Sequence, residues 1–284
     1  MRFLHTRIPL KALLGYRLRF LWKWLRRGFR TRTILFYPQY PAKKTLIFKI
    51  CREQGYNITT DLHRRCDLAF AWKDTTWRPE YPELRDIAAH APVLNLACRD
   101  VSKTHLGEVF ERTFGYPLAI NPVSHEGEAV QKSDENASKS GRVVTCPLPA
   151  PVEGCAYQRL VNNIGPDGLC EELRIPVIGG RVPLLTLKHK PPSNRFFSSW
   201  LKVEVRETDE ILSARELADI ARFCSEYGLD WGEIDVLRDR DDGRIYIVDA
   251  NNTPWGPARD LPERIRREVV RRLAEVFRET WLDA

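Results

Sequence analysis

Asp235, Asp249 and Asn251 are the residues of this chain whose types and spacing point most directly to chemistry. They lie in two runs, Asp230-Trp231-Gly232-Glu233-Ile234-Asp235-Val236 and Arg244-Ile245-Tyr246-Ile247-Val248-Asp249-Ala250-Asn251. Both read as strands, joined by the turn Arg240-Asp241-Asp242-Gly243. Alternation along a strand sends Asp249 and Asn251 to one face and Tyr246, Val248 and Ala250 to the other. A hairpin closed by Asp-Gly brings Asp235 alongside them. Oxygen donors crowded on strands of Ile and Val are costly unless a positive charge sits among them. Hard ligands of this kind suit Mg2+, which keeps several waters and bridges to substrate phosphates. The same residues also fit the solvent-facing polar side of an antiparallel hairpin.

The elements that must hold these residues follow from periodicity. From Arg32 to about Asp100 the pattern is strand–helix–strand: Thr33 to Tyr37 is β-rich, Leu46 to Gln54 is helical, and Asn57 to Thr60, Asp67 to Trp72 and Val93 to Cys98 are extended. Such alternation predicts a small α/β domain with parallel strands. It contains no G-x-G-x-x-G, so a dinucleotide site has no support. Ser102 is placed to cap a helix that ends at Gly115, and Ser213 opens another that ends at Tyr227-Gly228. The last helix, from about Leu261 to Trp281, carries Leu261, Ile265, Val269, Leu273 and Phe277 at i+4 spacing, with its arginines on a solvated face.

The net charge of +7 is misleading until it is located. Residues 1–33 hold ten Lys or Arg and no acid, leaving 35 bases against 38 acids in the remainder. The body is thus close to neutral, and a surface for coating nucleic acid is not implied. In the first segment Leu10, Leu14, Leu18, Leu21 and Leu25 share one narrow helical arc, opposed by Arg19, Lys23, Arg26, Arg27 and Arg30, with Trp22 and Trp24 at the flanks. This pattern describes a basic amphipathic helix lying on an anionic membrane surface, or one docked on a core or partner; nucleic-acid binding is a third reading, for which a Leu stripe is not needed. Lys and Arg interrupt its apolar residues too often for a transmembrane span or a signal peptide. Seven cysteines without a C-x-x-C pair suit reduced thiols in the cytoplasm.

Taken in order, the remaining polar residues form a series. Lys103 opens a helix and Lys132 ends the strand Glu128 to Lys132. The polar loop Ser133 to Gly141 follows, then Tyr157-Gln158-Arg159-Leu160-Val161. Next is the strand Glu172-Leu173-Arg174-Ile175-Pro176-Val177-Ile178-Gly179-Gly180, then Lys188, Arg195 and the acidic hairpin. This order resembles the ATP-grasp fold over residues 33 to 262. The resemblance implies an α/β protein in which two α+β subdomains clasp ATP, preceded by a small Rossmann-like pre-ATP-grasp domain and the N-terminal amphipathic helix. The divisions it suggests are 1–31, 32–100 and 101–284.

Carried over residue by residue, the resemblance implies that Lys103 and Lys132 contact ATP phosphates and that Ser133 begins the phosphate loop. That loop has one glycine and two acids where the family is glycine-rich. The segment Gln158, Arg159, Leu160 and Val161 is the adenine hinge. Asp235, Asp249 and Asn251 are the Mg2+ ligands (Mn2+ substituting), and Arg174, Lys188 and Arg195 are catalytic. Taken alone, each lysine also fits a solvated surface charge, and Arg174 an ion pair with Glu171 or Glu172. The implied reaction is that of a ligase: a carboxylate is activated by ATP as an acylphosphate and attacked by an amine. The N-terminal segment weights this toward a cell-envelope substrate at the inner face of the membrane, for a cytoplasmic or peripheral protein. A kinase of a sugar or polyol hydroxyl and a non-catalytic nucleotide-binding homologue are the alternatives. The substrates themselves are not legible.

Overall fold

The computed structural model describes residues 31–138, 140–197 and 199–283. The expected N-terminal amphipathic helix lies outside them. The chain begins with a four-stranded parallel sheet of order β2-β1-β3-β4, built from β1 (Thr33–Pro38), β2 (Asn57–Thr59), β3 (Leu68–Trp72) and β4 (Val93–Leu94). All five residues of β3 are buried, because helices cover both of its faces, as a central parallel strand requires. One face packs on α1 (Leu46–Gln54) and on α6 (Glu263–Trp281) through Phe36, Phe70, Ile47 and Phe277. The other packs on α2 (Pro82–Ala88) through Leu35, Ala69 and Leu84.

The apolar run at 93–98 is a shorter strand than its composition predicts. Asn95 turns it at φ 58, its side chain bonds both the N–H and the carbonyl of Trp231, and its own N–H donates to Asp230. A buried Asn that satisfies a neighbouring strand's backbone outweighs the extended preference of its neighbours.

The helix α3 (Lys103–Phe114) follows, capped by Ser102, whose hydroxyl accepts from the His105 N–H at 3.2 Å. It leads into a three-stranded antiparallel sheet of β5 (Gly127–Ser133), β6 (Arg142–Cys146) and β7 (Cys155–Arg159), ordered β6-β5-β7. A five-stranded antiparallel sheet, β10-β9-β8-β11-β12, completes the fold. Its strands are β8 (Cys170–Ile178), β9 (Leu185–Lys190), β10 (Lys202–Arg206), β11 (Trp231–Arg238) and β12 (Ile245–Asn251). Between β10 and β11 lie the single turn α4 (Thr208–Ile211) and α5 (Ala214–Tyr227), which opens on a reciprocal capping box between Ser213 and Glu216. The apolar face of the five-stranded sheet is buried against α3 and α5 by Leu173, Ile175, Ile234, Val236, Phe110 and Phe223. That burial commits the alternate residues of β8, β9, β11 and β12 to the opposite face.

A polar sheet face as the candidate functional site

The opposite face gathers charge from four adjacent strands. Lys188 and Lys190 come from β9, Glu172 and Arg174 from β8, Glu233 and Asp235 from β11, and Asp249 and Asn251 from β12. Strand register puts Asp235 opposite Arg174 on one side and Asp249 on the other. A β-bulge between Asp235 and Val236 interrupts the β11–β12 ladder beside these carboxylates, a common way of re-aiming side chains near a site. Two lysines reach the same face from outside the sheet. Lys103, at the start of α3, brings its ammonium 2.5 Å from Asp249 Oδ1 and 3.4 Å from Asn136 Oδ1. Lys132, near the end of β5, donates to the Val248 carbonyl at 3.3 Å.

On the other side of the carboxylates, Arg174 Nε donates to Glu233 Oε2 at 2.7 Å, and its Nη1 lies 3.7 Å from Asp235 Oδ2. The ammoniums of Lys188 and Lys190 share the two oxygens of Glu172, at 3.4 and 3.2 Å, and both stand over the Trp200 ring. Burial pushes the Lys132 ammonium down to about 8, with nearby Asp249 opposing the shift and Lys103 adding to it. Burial would also raise the Asp235 carboxyl, but Arg174, Lys188, Lys190 and Lys103 outweigh it and hold Asp235 below the usual carboxylate range. For Arg174, burial acts to lower the guanidinium, and Glu233 and Asp235 reverse that and hold it above its ordinary value. Cations from α3, β5, β8 and β9 thus enclose the neighbouring carboxylates Asp235 and Asp249.

Asp235 Oδ1 is buried without a hydrogen-bond partner. A buried carboxylate oxygen lacking a donor is expensive, and a divalent cation between Asp235 and Asp249 would satisfy it. Among the described residues no three His, Cys, Asp or Glu side chains converge as a self-sufficient metal cage. Two carboxylates and an amide instead suit Mg2+ completed by phosphate oxygens and water.

This architecture has counterparts among solved structures. The ATP-grasp ligase PsnB complexed with minimal precursor superposes with a TM-score of 0.55 at 13% identity, over 88% of this chain and 99% of that one. The same ligase with a phosphomimetic variant of minimal precursor, Mg and ADP gives 0.55 at 11% identity, over 88% and 99%. The chain has the ATP-grasp fold. A third structure, PsnB with precursor peptide PsnA2 and AMPPNP, gives 0.50 at 12% identity over 78% of this chain and 88% of that one. No protein-family model matches the sequence, and no curated protein sequence matches it.

Within the ATP-grasp fold, the expected residues separate into two groups. Lys103, Lys132, Arg174, Lys188, Asp235, Asp249 and Asn251 share the polar face. Asn251 Oδ1 accepts from the Thr253 N–H at 2.8 Å and lies 3.3 Å from the Thr253 hydroxyl, which also reaches Asp74 Oδ1 at 3.0 Å. Gln158 lies on β7 with its Nε2 buried and unpartnered, a donor available to a base edge. Val161 is part of the core. Arg159 acts through its side chain as a strut: Nη2 lies 2.9 Å from Asp239 and 3.6 Å from Asp242 at the β11–β12 turn, tying the two sheets together. Leu160 follows directly on the end of β7. The Ser133 N–H bonds Ser140 Oγ, closing the loop on itself, and Asp134 accepts the Thr104 N–H at the start of α3. Arg195 stands apart, with Nη2 3.4 Å from Asn163 Oδ1 and 3.5 Å from Cys170 Sγ. Arg174 pairs with Glu233, not with its chain neighbours: Glu171 goes to Arg240 and Glu172 to the lysines. Lys188 is 2% exposed, which removes the reading of it as a solvated surface charge.

Glu172, Lys190, Glu233 and Asn136 are residues of the candidate site that sequence reasoning did not assign to it. Glu172, Lys190 and Glu233 each stand two residues from an expected member of the site, so the alternation applied to Asp249 and Asn251 would have found them. Asn136 lies on a loop, where no periodicity applies.

Proposed function

We propose that the protein is an ATP-dependent ligase that joins a carboxylate to an amine, working on the polar face between the two antiparallel sheets. The observation that carries this reading is the pairing of Asp235 and Asp249 on neighbouring strands, enclosed by Lys103, Lys132 and Arg174. Asp235, Asp249 and Asn251 would hold Mg2+, the Thr253 hydroxyl turning fully to Asp74 to free the Asn251 oxygen. When bound, the ion would neutralise phosphate charge and polarise the phosphoryl group.

Lys103 and Lys132 would bind and orient the phosphates. Their positive charge stabilises the oxygens as charge redistributes in transfer, which is most of what phosphoryl transfer asks of a protein. In the ion-free arrangement Lys103 neutralises Asp249, so nucleotide and cation binding would release its ammonium toward a phosphate. Gln158 and the backbone of Leu160 would meet the adenine edge. Arg174, held in place by Glu233, would steady the acceptor carboxylate. An oxygen of that carboxylate attacks the γ-phosphorus, the bond to the bridging oxygen of ADP breaks, and ADP leaves. An amine then adds to the acyl carbon and phosphate departs, losing one proton from nitrogen overall. Phosphorylation matters because a carboxylate has only oxide to expel.

We assign residues 32–100 to a pre-ATP-grasp unit and 101–284 to the ATP-grasp body. The Leu and Arg pattern of residues 1–30 supports a membrane-proximal acceptor such as a cell-envelope precursor. None of the described helices is long and apolar enough to cross a membrane. Unchanged partition onto anionic liposomes after deletion of residues 1–30 would count against the membrane assignment. The reaction is tested by incubating the protein with MgATP, hydroxylamine and pools of carboxylic acids. Hydroxamate with ADP and phosphate is expected; AMP with pyrophosphate as the products would rule out the acylphosphate.

A further inference from the structure

Beside the acceptor end of the polar face lies a second group of cations that the ligase reading does not use. Lys49 on α1, Arg259 in the loop after β12 and Arg266 in the first turn of α6 gather where α1 packs on α6, both arginines near enough to repel the Lys49 ammonium. Among the described residues none of the three is in an ion pair, and Asp260, the acid next to Arg259, pairs with none of them. The Lys49 ammonium is held by the Gly256 carbonyl, and Arg266 Nε is buried without a partner. Burial lowers the Lys49 ammonium, and Arg266 and Arg259 lower it further by like-charge repulsion. Arg266 also stands at the positive end of the α6 dipole, where a cation is disfavoured. At the rim, Lys44 lies 3.2 Å over the ring of Trp255, which is 49% exposed.

Lys49 and Arg266 are partly buried and Arg259 is exposed, and like charges gathered in this way destabilise the fold unless something negative joins them. The position suggests what that is. The residue whose carbonyl holds Lys49 is also the one that lies against Glu233: a Cβ on Gly256 would be 3.6 Å from Glu233 Oε1. Glu233 in turn holds Arg174. A molecule with one carboxylate at Arg174 would therefore extend past Gly256 into the cationic group.

We propose that Lys49, Arg259 and Arg266 bind a second anionic group of the acceptor substrate, a carboxylate distinct from the one that is activated, with Trp255 and Lys44 flanking it. The acceptor is accordingly a polyacid. The inference rests on the ligase reading for its orientation, but the anion site is measurable without turnover.

The test is calorimetry on the full chain with three probes: hexaglutamate, tricarballylate and neutral hexaglutamine. Each is titrated into the wild type, the Lys49→Gln/Arg259→Gln/Arg266→Gln variant and each single replacement, which keeps the test intact if the triple variant misfolds. Hexaglutamate is expected to bind, to weaken with salt, and to lose at least about tenfold in affinity in the triple variant, with hexaglutamine inert. Tricarballylate binding in the same pattern points to a compact polycarboxylate, and its failure beside hexaglutamate binding to an extended acidic chain. The proposal is overturned if neither acid binds, or if the variants bind them as well as the wild type, which places the anion elsewhere, such as on the basic residues 1–33. MgATP affinity, measured in parallel, is expected to be unchanged in the variants. Absence of MgATP binding in the wild type would instead remove the ligase reading, whatever the acids do.

Discussion

Replacing Glu233 tests how the polar face is held together. Glu233 is 7% exposed and Arg174 is about a quarter exposed by its side chain, and they meet in one charge-assisted bond of 2.7 Å. At an effective dielectric of about 20, two unit charges about 4 Å apart attract by about 4 kcal/mol, a gain partly cancelled by desolvation. In Glu233→Ala the guanidinium would keep only its longer contact with Asp235, at 3.7 Å. The expected loss is about 2–3 kcal/mol, below the 3–5 kcal/mol of a fully buried pair broken on one side. With a urea slope of about 3 kcal/mol per molar, the midpoint followed by far-ultraviolet circular dichroism would fall by about 0.7–1 M. The companion Arg174→Met/Glu233→Leu removes both charges and fills the space, and should recover at least half of that loss. A midpoint shift under about 0.2 M for Glu233→Ala, or a double variant as unstable as two separate losses combined, would mean that Glu233 does not hold Arg174 in this way.

The lysine on β5 gives a pH signature. Because the folded value of Lys132 is about 8 and its ordinary value is higher, the unfolded chain holds a proton that the folded chain lacks between the two. Stability should therefore rise with pH across that window, and this rise should vanish in Lys132→Met. Nucleotide affinity should move the other way, falling by up to about tenfold per pH unit above 8 as the ammonium is lost. Lys132→Arg should flatten that fall, and calorimetric titrations at pH 7, 8 and 9 would show whether it does. Gly228 closes α5 at φ 71, and a Cβ there would lie 2.8 Å from the backbone of Ala97 and Cys98. Gly228→Ala should cost at least about 2 kcal/mol in thermal unfolding, whereas Gly243→Ala, at φ 72 with open space around it, should cost about 1 kcal/mol.

The acidic hairpin was legible because its signals are local. Alternation sets the faces of β12 and the Asp-Gly turn sets its partner, and Asp235 pairs with Asp249 accordingly. The bulge at Asp235 was not legible, since it depends on how β11 must twist between β8 and β12. The partner of Arg174 was missed for a related reason. β8 and β11 lie more than fifty residues apart, so their register is set by the packing of their apolar faces on α3 and α5, and no turn reports it. Capping was readable at Ser102 and Ser213, where side chain and backbone meet within one turn. Asn95 ended a strand that composition extends, because its reward is a bond to Trp231, far along the chain. Residues on loops, such as Asn136 and Trp200, owe their place to tertiary contacts alone.

In the proposed function Asp235 and Asp249 hold a divalent cation against the phosphates of a bound nucleotide. Calorimetric titration of a non-hydrolysable ATP analogue into the full chain, with Mg2+ and with chelator, measures this directly. Binding that requires Mg2+ and weakens at least about tenfold in Asp249→Asn is the predicted result. No binding at all, or binding indifferent to both chelator and Asp249→Asn, would mean that these carboxylates hold no such ion.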